Sequence, residues 1–169
     1  MQNRRLAIAT TNPTFYLVLY SMDDTRTRIL SEAEFLIRRR GYAAFSYADL
    51  ADRVRIRKAS IHHHFPMKEM LGATLIDKYL LRFEKDLHRI SMEERNVAAR
   101  LSAYSKLFSN GLKVGMLPLC GALSAELSAL PASLKKRVRK FFNIQLDWLY
   151  KNSNHLTVPL RFAGQMAAV

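Results

Sequence analysis

The spacing of hydrophobic residues predicts a protein built from helices. From residue 25 onward, apolar side chains recur at intervals of three and four, the period of an amphipathic α-helix, with charged residues between them. No segment shows the sustained alternation or the Asn-Gly and Asp-Gly turns that are typical of β-hairpins. The pattern therefore favours an all-α fold.

Residues typical of helix ends divide this pattern into separate helices. Gly41 follows three arginines, Ser46 and Asp49 have the spacing of a capping box, and Pro66 cannot continue a helix. The predicted helices cover about residues 24–40, 47–54, 58–64, 67–90, 92–109 and 132–151, with a shorter helix around Cys120. We expect the fifth to end at Asn110-Gly111 and a break at Pro131.

Core positions follow from the same spacing. In the first half of the chain, the residues expected to face the core are Ile29, Ala33, Leu36, Ile37, Leu50, Ala51, Val54, Ile56, Ile61 and Phe65. In the two long later helices they are Met70, Leu71, Leu75, Tyr79, Phe83, Leu87, Leu134, Val138, Phe141, Phe142, Leu146 and Leu149.

Two short helices joined by a tight turn, behind a longer helix, are typical of a helix-turn-helix unit. We therefore predict a DNA-binding domain over residues 22–70 and a larger helical domain over residues 71–169. Met22 precedes two aspartates that suit a first helical turn. Residues 1–21 are accordingly predicted to be a disordered upstream extension.

The charge balance of the chain indicates a polyanionic partner. Lysine and arginine number 27 against 14 aspartate and glutamate residues, which gives a net charge of +13 at pH 7. This excess favours nucleic acid and, less often, an anionic membrane surface.

The single cysteine excludes a disulfide within one chain and fits a reducing, cytoplasmic setting. No apolar run reaches the length of about 18 residues that a membrane span needs.

The three consecutive histidines raise the question of a metal site. Consecutive residues on a helix point about 100° apart, so the rings of His62, His63 and His64 do not converge on one ion. His88 and His155 lie in unrelated segments. We expect no metal and no cofactor, with His62 and His63 exposed and His64 turned toward the interior.

Two stretches of the first half carry a specific pattern, ILSEAEFLIRRRGYAAFSYADLADRV and IRKASIHHHFPMKEML. The spacing from Gly41-Tyr42 through Asp49-Leu50-Ala51 to His64-Phe65-Pro66 is part of it. In these features, residues 24–76 resemble the DNA-binding domain of the TetR/AcrR family of bacterial transcriptional regulators. The resemblance implies a homodimer. Each three-helix head places its third helix in the major groove of DNA, and the larger domain dimerises and binds an inducer.

The resemblance also assigns DNA-contacting positions. Matched by position, the base-reading region and its flank are Lys58, Ala59, Ser60, His62 and His63. The positions that contact the DNA backbone match Ser46, Tyr47 and Lys68. Lys68 also opens the next helix, whose first amides suit a phosphate.

Two arginines depart from the family's pattern. Arg55 stands where glycine is usual, and Arg57 replaces the usual small residue that caps the third helix. Arginine disfavours positive φ, so we expect strain at Arg55. Both residues add charge beside the DNA, and we expect them to raise the affinity for DNA of any sequence.

Cys120 and Glu126 stand out in the second half. Cys120 lies near the start of a predicted helix, where the helix dipole lowers a thiol pKa. Some similar regulators carry a cysteine here that responds to electrophiles or oxidants. The alternative is a buried cysteine that only packs. Glu126 either lines an inducer pocket or makes a local pair.

We therefore expect a transcriptional repressor that is released from a palindromic operator by a small-molecule inducer or by modification of Cys120. Family members usually continue through one or two more helices than this chain, so the alternative is a truncated regulator that binds DNA without responding. An enzyme has little support, because Cys120 has no histidine near it in sequence and the acidic residues are few and scattered.

Overall fold

The structure, a computed structural model, describes residues 13–152 of the chain. No strand occurs in this range, which confirms the all-α prediction. The α-helices are α1 Pro13–Arg40, α2 Tyr47–Val54, α3 Lys58–His64, α4 Lys68–Glu93, α5 Val97–Lys113, α6 Leu119–Ser124 and α7 Ala132–Asn152, with a 3₁₀ turn at Leu127–Ala129. Within these residues, every helix is too short or too polar to pass through a lipid bilayer.

The first helix is longer than the sequence pattern predicted. It begins at Pro13 instead of near residue 24. Residues 14–40 contain neither glycine nor proline, so no residue in them stops the helix. Of the predicted disordered extension over residues 1–21, residues 1–12 lie outside the described residues and residues 13–21 are part of α1. The end of α1 is as predicted, since Gly41 follows it with a φ of +90°.

The helices α1, α2 and α3 form a head around a shared apolar core. The predicted core residues that the structure buries there are Ile29, Ala33, Leu36, Ile37, Leu50, Ala51, Val54, Ile61 and Phe65. Ile56 is partly buried and packs against the same core. The bounds of α2 and α3 agree with the predicted bounds at both ends.

The helices α4 and α7 pack along each other and carry most of the second core. The rings of Phe83 and Phe141 lie 4.7 Å apart between centroids at its centre. Leu71, Leu75, Leu87, Leu134 and Val138 are buried as predicted. Tyr79, Phe142 and Leu149 are partly buried and pack against this core.

Two residues of α4 and α7 that were predicted to face the core are exposed. Met70 is 45% exposed, because its neighbour Leu71 takes the core position at the start of α4. Leu146 is 54% exposed on α7. The inward position beside it is occupied by Gln145, whose amide donates a hydrogen bond to the hydroxyl of Tyr104. The prediction of a buried side chain was wrong at both positions, because the residue next to each one along the helix faces inward instead.

The bounds of α5 differ from the prediction at both ends. It begins at Val97 instead of residue 92, because Asn96 caps it by accepting a hydrogen bond from the amide of Ala99 at 2.8 Å. It also runs through Asn110-Gly111 and ends at Lys113. The left-handed conformation that ends it falls on Gly115 instead, with a φ of +68°.

Candidate nucleic-acid interface

The start of α2 is held by reciprocal hydrogen bonds between Ser46 and Asp49. The Asp49 amide donates to the Ser46 hydroxyl oxygen at 3.2 Å, and the Ser46 amide donates to Asp49 Oδ2 at 2.7 Å. The Ser46 hydroxyl donates to the same carboxylate oxygen at 2.6 Å. These hydrogen bonds from Ser46 hold the pKa of Asp49 below its usual value. The predicted capping box is confirmed, and it leaves Ser46 exposed at the start of α2.

Arg55 lies in the turn between α2 and α3 in a left-handed conformation, with φ 59° and ψ 50°. Among residues 13–152 it is the only non-glycine residue with positive φ. This conformation costs a residue with a Cβ atom roughly 1–2 kcal/mol, in agreement with the expected strain. The Arg28 guanidinium donates to the Val54 carbonyl at 2.7 Å, and the Ile56 amide donates to the Ala51 carbonyl at 3.1 Å. These bonds hold the turn on both sides of Arg55.

One face of α3 is buried in the head and the other is exposed. Ile61 is fully buried and Phe65 nearly so, which anchors the helix. Ser60 is half-buried at the edge of the two faces. The exposed residues at the start of α3 and along it are Arg57, Lys58, Ala59, His62 and His63. The sequence contains no acidic residue from position 53 to position 68, and Asp52 lies beside Arg55 and Arg57 at the edge of this surface.

Three cations at the turn and at the start of α3 have no partner within the described residues. Arg57 takes the N-cap position of α3 but makes no side-chain hydrogen bond to the helix. The side chains of Arg55 and Lys58 likewise make no hydrogen bond or ion pair in the part of the chain that the structure describes. Surface cations that are not paired within the protein are free to neutralise phosphates. We call Arg55, Arg57, Lys58, Ser60, His62 and His63 the α3 surface.

The histidines take up the predicted positions. His62 and His63 are exposed and His64 is half-buried. Burial lowers the pKa of His64, and the nearby charges of His63 and Arg26 lower it further. The Nδ1 atom of His62 lies 3.3 Å from the Pro66 carbonyl oxygen. Among the side chains that the structure describes, no three from histidine, cysteine, aspartate or glutamate come together as ligands for a metal ion.

Tyr47 and Lys68 already have partners within the head. The Tyr47 hydroxyl donates to the Phe65 carbonyl at 2.8 Å, and the ring is buried. The Lys68 Nζ atom donates to the Phe45 carbonyl and lies 4.7 Å and 4.2 Å from the ring centroids of Tyr42 and Phe45. Burial lowers the pKa of Lys68 although nearby carboxylates oppose the shift. Both side chains therefore hold the head together, whatever contact they make with DNA.

A cleft of about 220 Å³ lies between α1, α4, α5 and the start of α6. Its lining residues, which the sequence reasoning did not identify, are Glu34, Arg38, Tyr79, Arg82, Phe83, Asp86, Leu107, Phe108 and Pro118. Glu34 accepts from Arg82 at 2.9 Å and lies 3.6 Å from Arg38. The sequence offered one signal for this cleft, the oppositely charged pairs four positions apart at 34 and 38 and at 82 and 86. Such pairs are equally typical of exposed helix faces, so they did not identify the cleft.

Cys120 is fully buried in α6, and burial raises its pKa to about 12, with the charge of Glu34 adding to the shift. The expectation of a lowered pKa was wrong because desolvation of the thiolate outweighs the dipole of a six-residue helix. Its thiol is not among the groups that line the cleft. The alternative of a cysteine that packs describes this position.

Glu126 lies in the segment between α6 and the 3₁₀ turn and does not line the cleft. Its Oε2 atom accepts a hydrogen bond from the Ala43 amide at 2.8 Å. Of the two roles considered for Glu126, the structure therefore favours a pair. That pair is formed with a residue 83 positions away in sequence and in the head, so it is not local.

Known proteins share this geometry. Residues 29–73 match the family described as "Bacterial regulatory proteins, tetR family". A TetR-family transcriptional regulator from Agrobacterium tumefaciens is 33% identical, with a TM-score of 0.73 over 78% of this chain and 70% of that chain. A TetR transcriptional regulator from Legionella pneumophila is also 33% identical, with a TM-score of 0.67 over 74% of this chain and 69% of that chain.

A similar protein from Escherichia coli is also named as a transcriptional regulator. The HTH-type transcriptional repressor NemR of Escherichia coli is 26% identical over 118 residues, which are 69% of this chain and 58% of that protein. The likeness to the Agrobacterium and Legionella regulators extends through the larger helical domain, beyond the helix-turn-helix head. The helix-turn-helix head, the cationic surface of α3 and these comparisons all indicate a DNA-binding regulator. The chain belongs to the TetR family of bacterial transcriptional regulators, which bind DNA.

Proposed function

We propose that this regulator is a repressor that binds a palindromic operator as a homodimer, with α3 of each subunit in the major groove. The observation that carries the proposal is the α3 surface. Its cations have no side-chain partner among the described residues, and they lie with exposed polar groups on and just before a helix whose other face is anchored by Ile61. A helix of this kind, the second of a helix-turn-helix unit, is the element that enters the major groove.

The α3 surface divides into groups with different roles. Arg55, Arg57 and Lys58 lie at the turn and the first residue of α3 and have long cationic side chains, which suit phosphate oxygens on both sides of the groove. Ser60 and His62 lie farther along α3 and have short polar groups that suit base edges. The phosphate contacts supply affinity for any DNA, and the base contacts supply preference among sequences.

The cleft beside α1 is the proposed inducer site. At about 220 Å³ it takes a small molecule, and it offers guanidinium groups from Arg38 and Arg82 beside aromatic rings. Arg38 lines the cleft and also donates to the Leu117 carbonyl at 2.7 Å, so a ligand in the cleft contacts a residue that joins α1 to the segment before α6. A ligand that binds one arrangement of these helices better than another shifts the population toward it.

Modification of the Cys120 thiol is a less favoured way to release the regulator from its operator than binding of an inducer in the cleft. Cys120 is buried and its pKa is raised to about 12, so little thiolate exists at neutral pH and reagents have no access to it. The chain contains one cysteine, so labelling with a thiol reagent reports on this residue alone. We expect slow labelling in the native protein and fast labelling in denaturant, whereas fast native labelling would favour a redox or electrophile sensor.

Selection of binding sites from random duplex DNA tests the proposal directly. We expect an enriched inverted repeat near physiological salt and a dimer by solution mass. Ser60→Ala or His62→Ala should then relax the preference at particular base pairs, at a cost of about 1–3 kcal/mol for the preferred site. Retention of DNA without any enriched motif would leave only the phosphate contribution and would contradict sequence-specific regulation.

A further inference from the structure

Glu126 joins the larger helical domain to the DNA-binding head. Its carboxylate accepts a hydrogen bond from the backbone amide of Ala43 at 2.8 Å. Ala43 lies in the turn between α1 and α2, three residues before the N-cap Ser46. A side chain from the segment after α6 thus holds the backbone of the head at the point where the chain enters the helix-turn-helix.

The fit of this carboxylate against the turn depends on Gly41. A Cβ atom at position 41 would lie 1.8 Å from Glu126 Oε1, and Gly41 also has a φ of +90°. The glycine therefore ends α1 and leaves the space that the carboxylate occupies. One oxygen of Glu126 lies against Gly41 and the other accepts from Ala43, so the side chain contacts the turn at two points.

Lys68 holds the same turn from α4. It donates to the Phe45 carbonyl, and its ammonium group lies over the Tyr42 and Phe45 rings. Glu126 is near enough for its charge to raise the pKa of Lys68 against the larger effect of burial. Residues 41–45 are therefore held between α4 and the segment after α6.

The other end of α6 contacts the head as well. Arg38 near the end of α1 donates to the carbonyl of Leu117, two residues before α6 begins. Contacts to the head thus flank α6, with Arg38 and Leu117 before it and Glu126 and Ala43 after it. A head held at both points has a defined orientation relative to the larger domain.

We propose that Glu126 is a positioning residue that sets the orientation of the head and thereby selects the half-site spacing that the dimer accepts. This inference rests on the proposed function, because half-site spacing has meaning only for a dimer on an inverted repeat. In such a dimer the distance between the two recognition helices fixes the separation of the half-sites. A side chain outside α2 and α3 then contributes to DNA specificity through geometry alone.

The test compares operator spacing among matched full-length variants. Glu126→Ala removes the hydrogen bond, Glu126→Gln keeps an acceptor without the charge, and Glu84→Ala removes an exposed carboxylate of α4 as a control. The dissociation constant is measured for the selected operator and for versions with one base pair added or removed between the half-sites. The salt dependence of binding is measured on the selected operator.

Wild type and Glu84→Ala should discriminate among the spacings. Glu126→Ala should lose discrimination by on the order of tenfold, within the usual range of coupling between sites. Glu126→Gln should largely restore it, and the salt slope should be the same in all four proteins because no phosphate contact is removed. Spacing preference in Glu126→Ala equal to that of wild type overturns the inference.

Amide hydrogen exchange at Ala43 tests the contact without DNA. The exchange should be faster in Glu126→Ala than in wild type and close to wild type in Glu126→Gln and Glu84→Ala. Unchanged exchange in Glu126→Ala overturns the inference even if DNA binding changes. A wild type that enriches no inverted repeat overturns the proposed function and this inference together. A wild type whose preference for one half-site spacing is retained in Glu126→Ala overturns only the inference.

Discussion

Exposed polar side chains of the α3 surface and two buried or half-buried side chains of the head, Lys68 and Tyr47, are of similar kinds but in opposite states. On the α3 surface, the side chains of Arg57 and Lys58 are exposed and make no hydrogen bond or ion pair within the described residues. By contrast, Lys68 and Tyr47 donate hydrogen bonds to backbone carbonyls, and Lys68 is half-buried and Tyr47 buried. A cation or hydroxyl in a DNA-binding head therefore serves recognition only when the fold has not already used its donors.

Substitution of Ile61 should have the largest effect, because this residue anchors the α3 surface to the head. Ile61→Ala should lower the free energy of unfolding by about 2–5 kcal/mol, since it leaves a cavity beside a fully buried position. His63→Ala, two residues away on the exposed face, should change it by no more than about 0.5 kcal/mol. Denaturant unfolding of both variants measures the difference, and equal effects would mean that α3 is not docked as described.

The two lysines should separate recognition from stability. Lys58→Ala should lower the slope of log affinity against log salt by about one and leave the melting temperature unchanged. Lys68→Ala should leave that slope unchanged and cost on the order of 1–3 kcal/mol of stability, because the Phe45 carbonyl loses its donor. The two measurements are salt-dependent DNA binding and thermal melting. A slope that falls by about one in Lys68→Ala would favour the phosphate contact that the family resemblance implies.

The strain at Arg55 should be relieved by glycine. Arg55→Gly should raise the free energy of unfolding by roughly 0.5–1 kcal/mol, since glycine adopts positive φ without a steric cost but adds freedom to the unfolded chain. Arg55→Ala is the matched control, because it removes the same charge and keeps the strained backbone. Both variants should weaken binding to DNA of any sequence by the same factor. A stability gain in Arg55→Ala equal to that in Arg55→Gly would assign the cost to charge instead.

Substitution of Tyr47 should have a similarly small effect, and this effect should depend on pH. Tyr47→Phe should cost about 1 kcal/mol at neutral pH, because the hydrogen bond to the Phe65 carbonyl is lost. Burial, together with the charge of Tyr42, raises the pKa of Tyr47 from 10.0 to about 12. The folded protein therefore holds this proton more tightly, so the stabilisation is present below pH 10 and is lost as the pH rises through 12.

Phenylalanine has no proton to lose in this range. Between pH 10 and pH 12, the free energy of unfolding should therefore fall less steeply in Tyr47→Phe than in wild type. Denaturant unfolding at several alkaline pH values measures the two slopes. Parallel slopes in the two proteins would mean that the Tyr47 hydroxyl is solvated and not held in the core of the head.

The helix-turn-helix could be predicted in detail because its determinants lie close together in sequence. The capping box uses two residues three positions apart, and Gly41 directly follows the helix it ends. The bounds of α2 and α3 and the exposure of His62 and His63 follow from these local features and from helical period. The larger domain was less predictable. Asn110-Gly111 had the sequence of a helix end, but the structure continues α5 past it to Lys113 and places the left-handed glycine at Gly115.

The state of individual polar groups depended on contacts between distant parts of the chain. Tyr47 reaches Phe65 across 18 positions, Lys68 reaches Phe45 across 23, and Glu126 reaches Ala43 across 83. The raised pKa of Cys120 follows from burial and from Glu34 on another helix. The position of a residue in the family's DNA-binding pattern did not reveal any of these partners.

By itself, the sequence determined the all-α class and the helix-turn-helix with its cationic helix, because helical period, capping residues and charge act over a few neighbouring positions. The family was indicated by the resemblance of two stretches in the first half of the chain to a known DNA-binding domain. Only the tertiary structure decided which polar groups remain available, where the cleft lies between four helices and how α6 is joined to the head. These properties depend on burial and on donors meeting acceptors from distant segments, and neither can be read from residues that are adjacent in sequence.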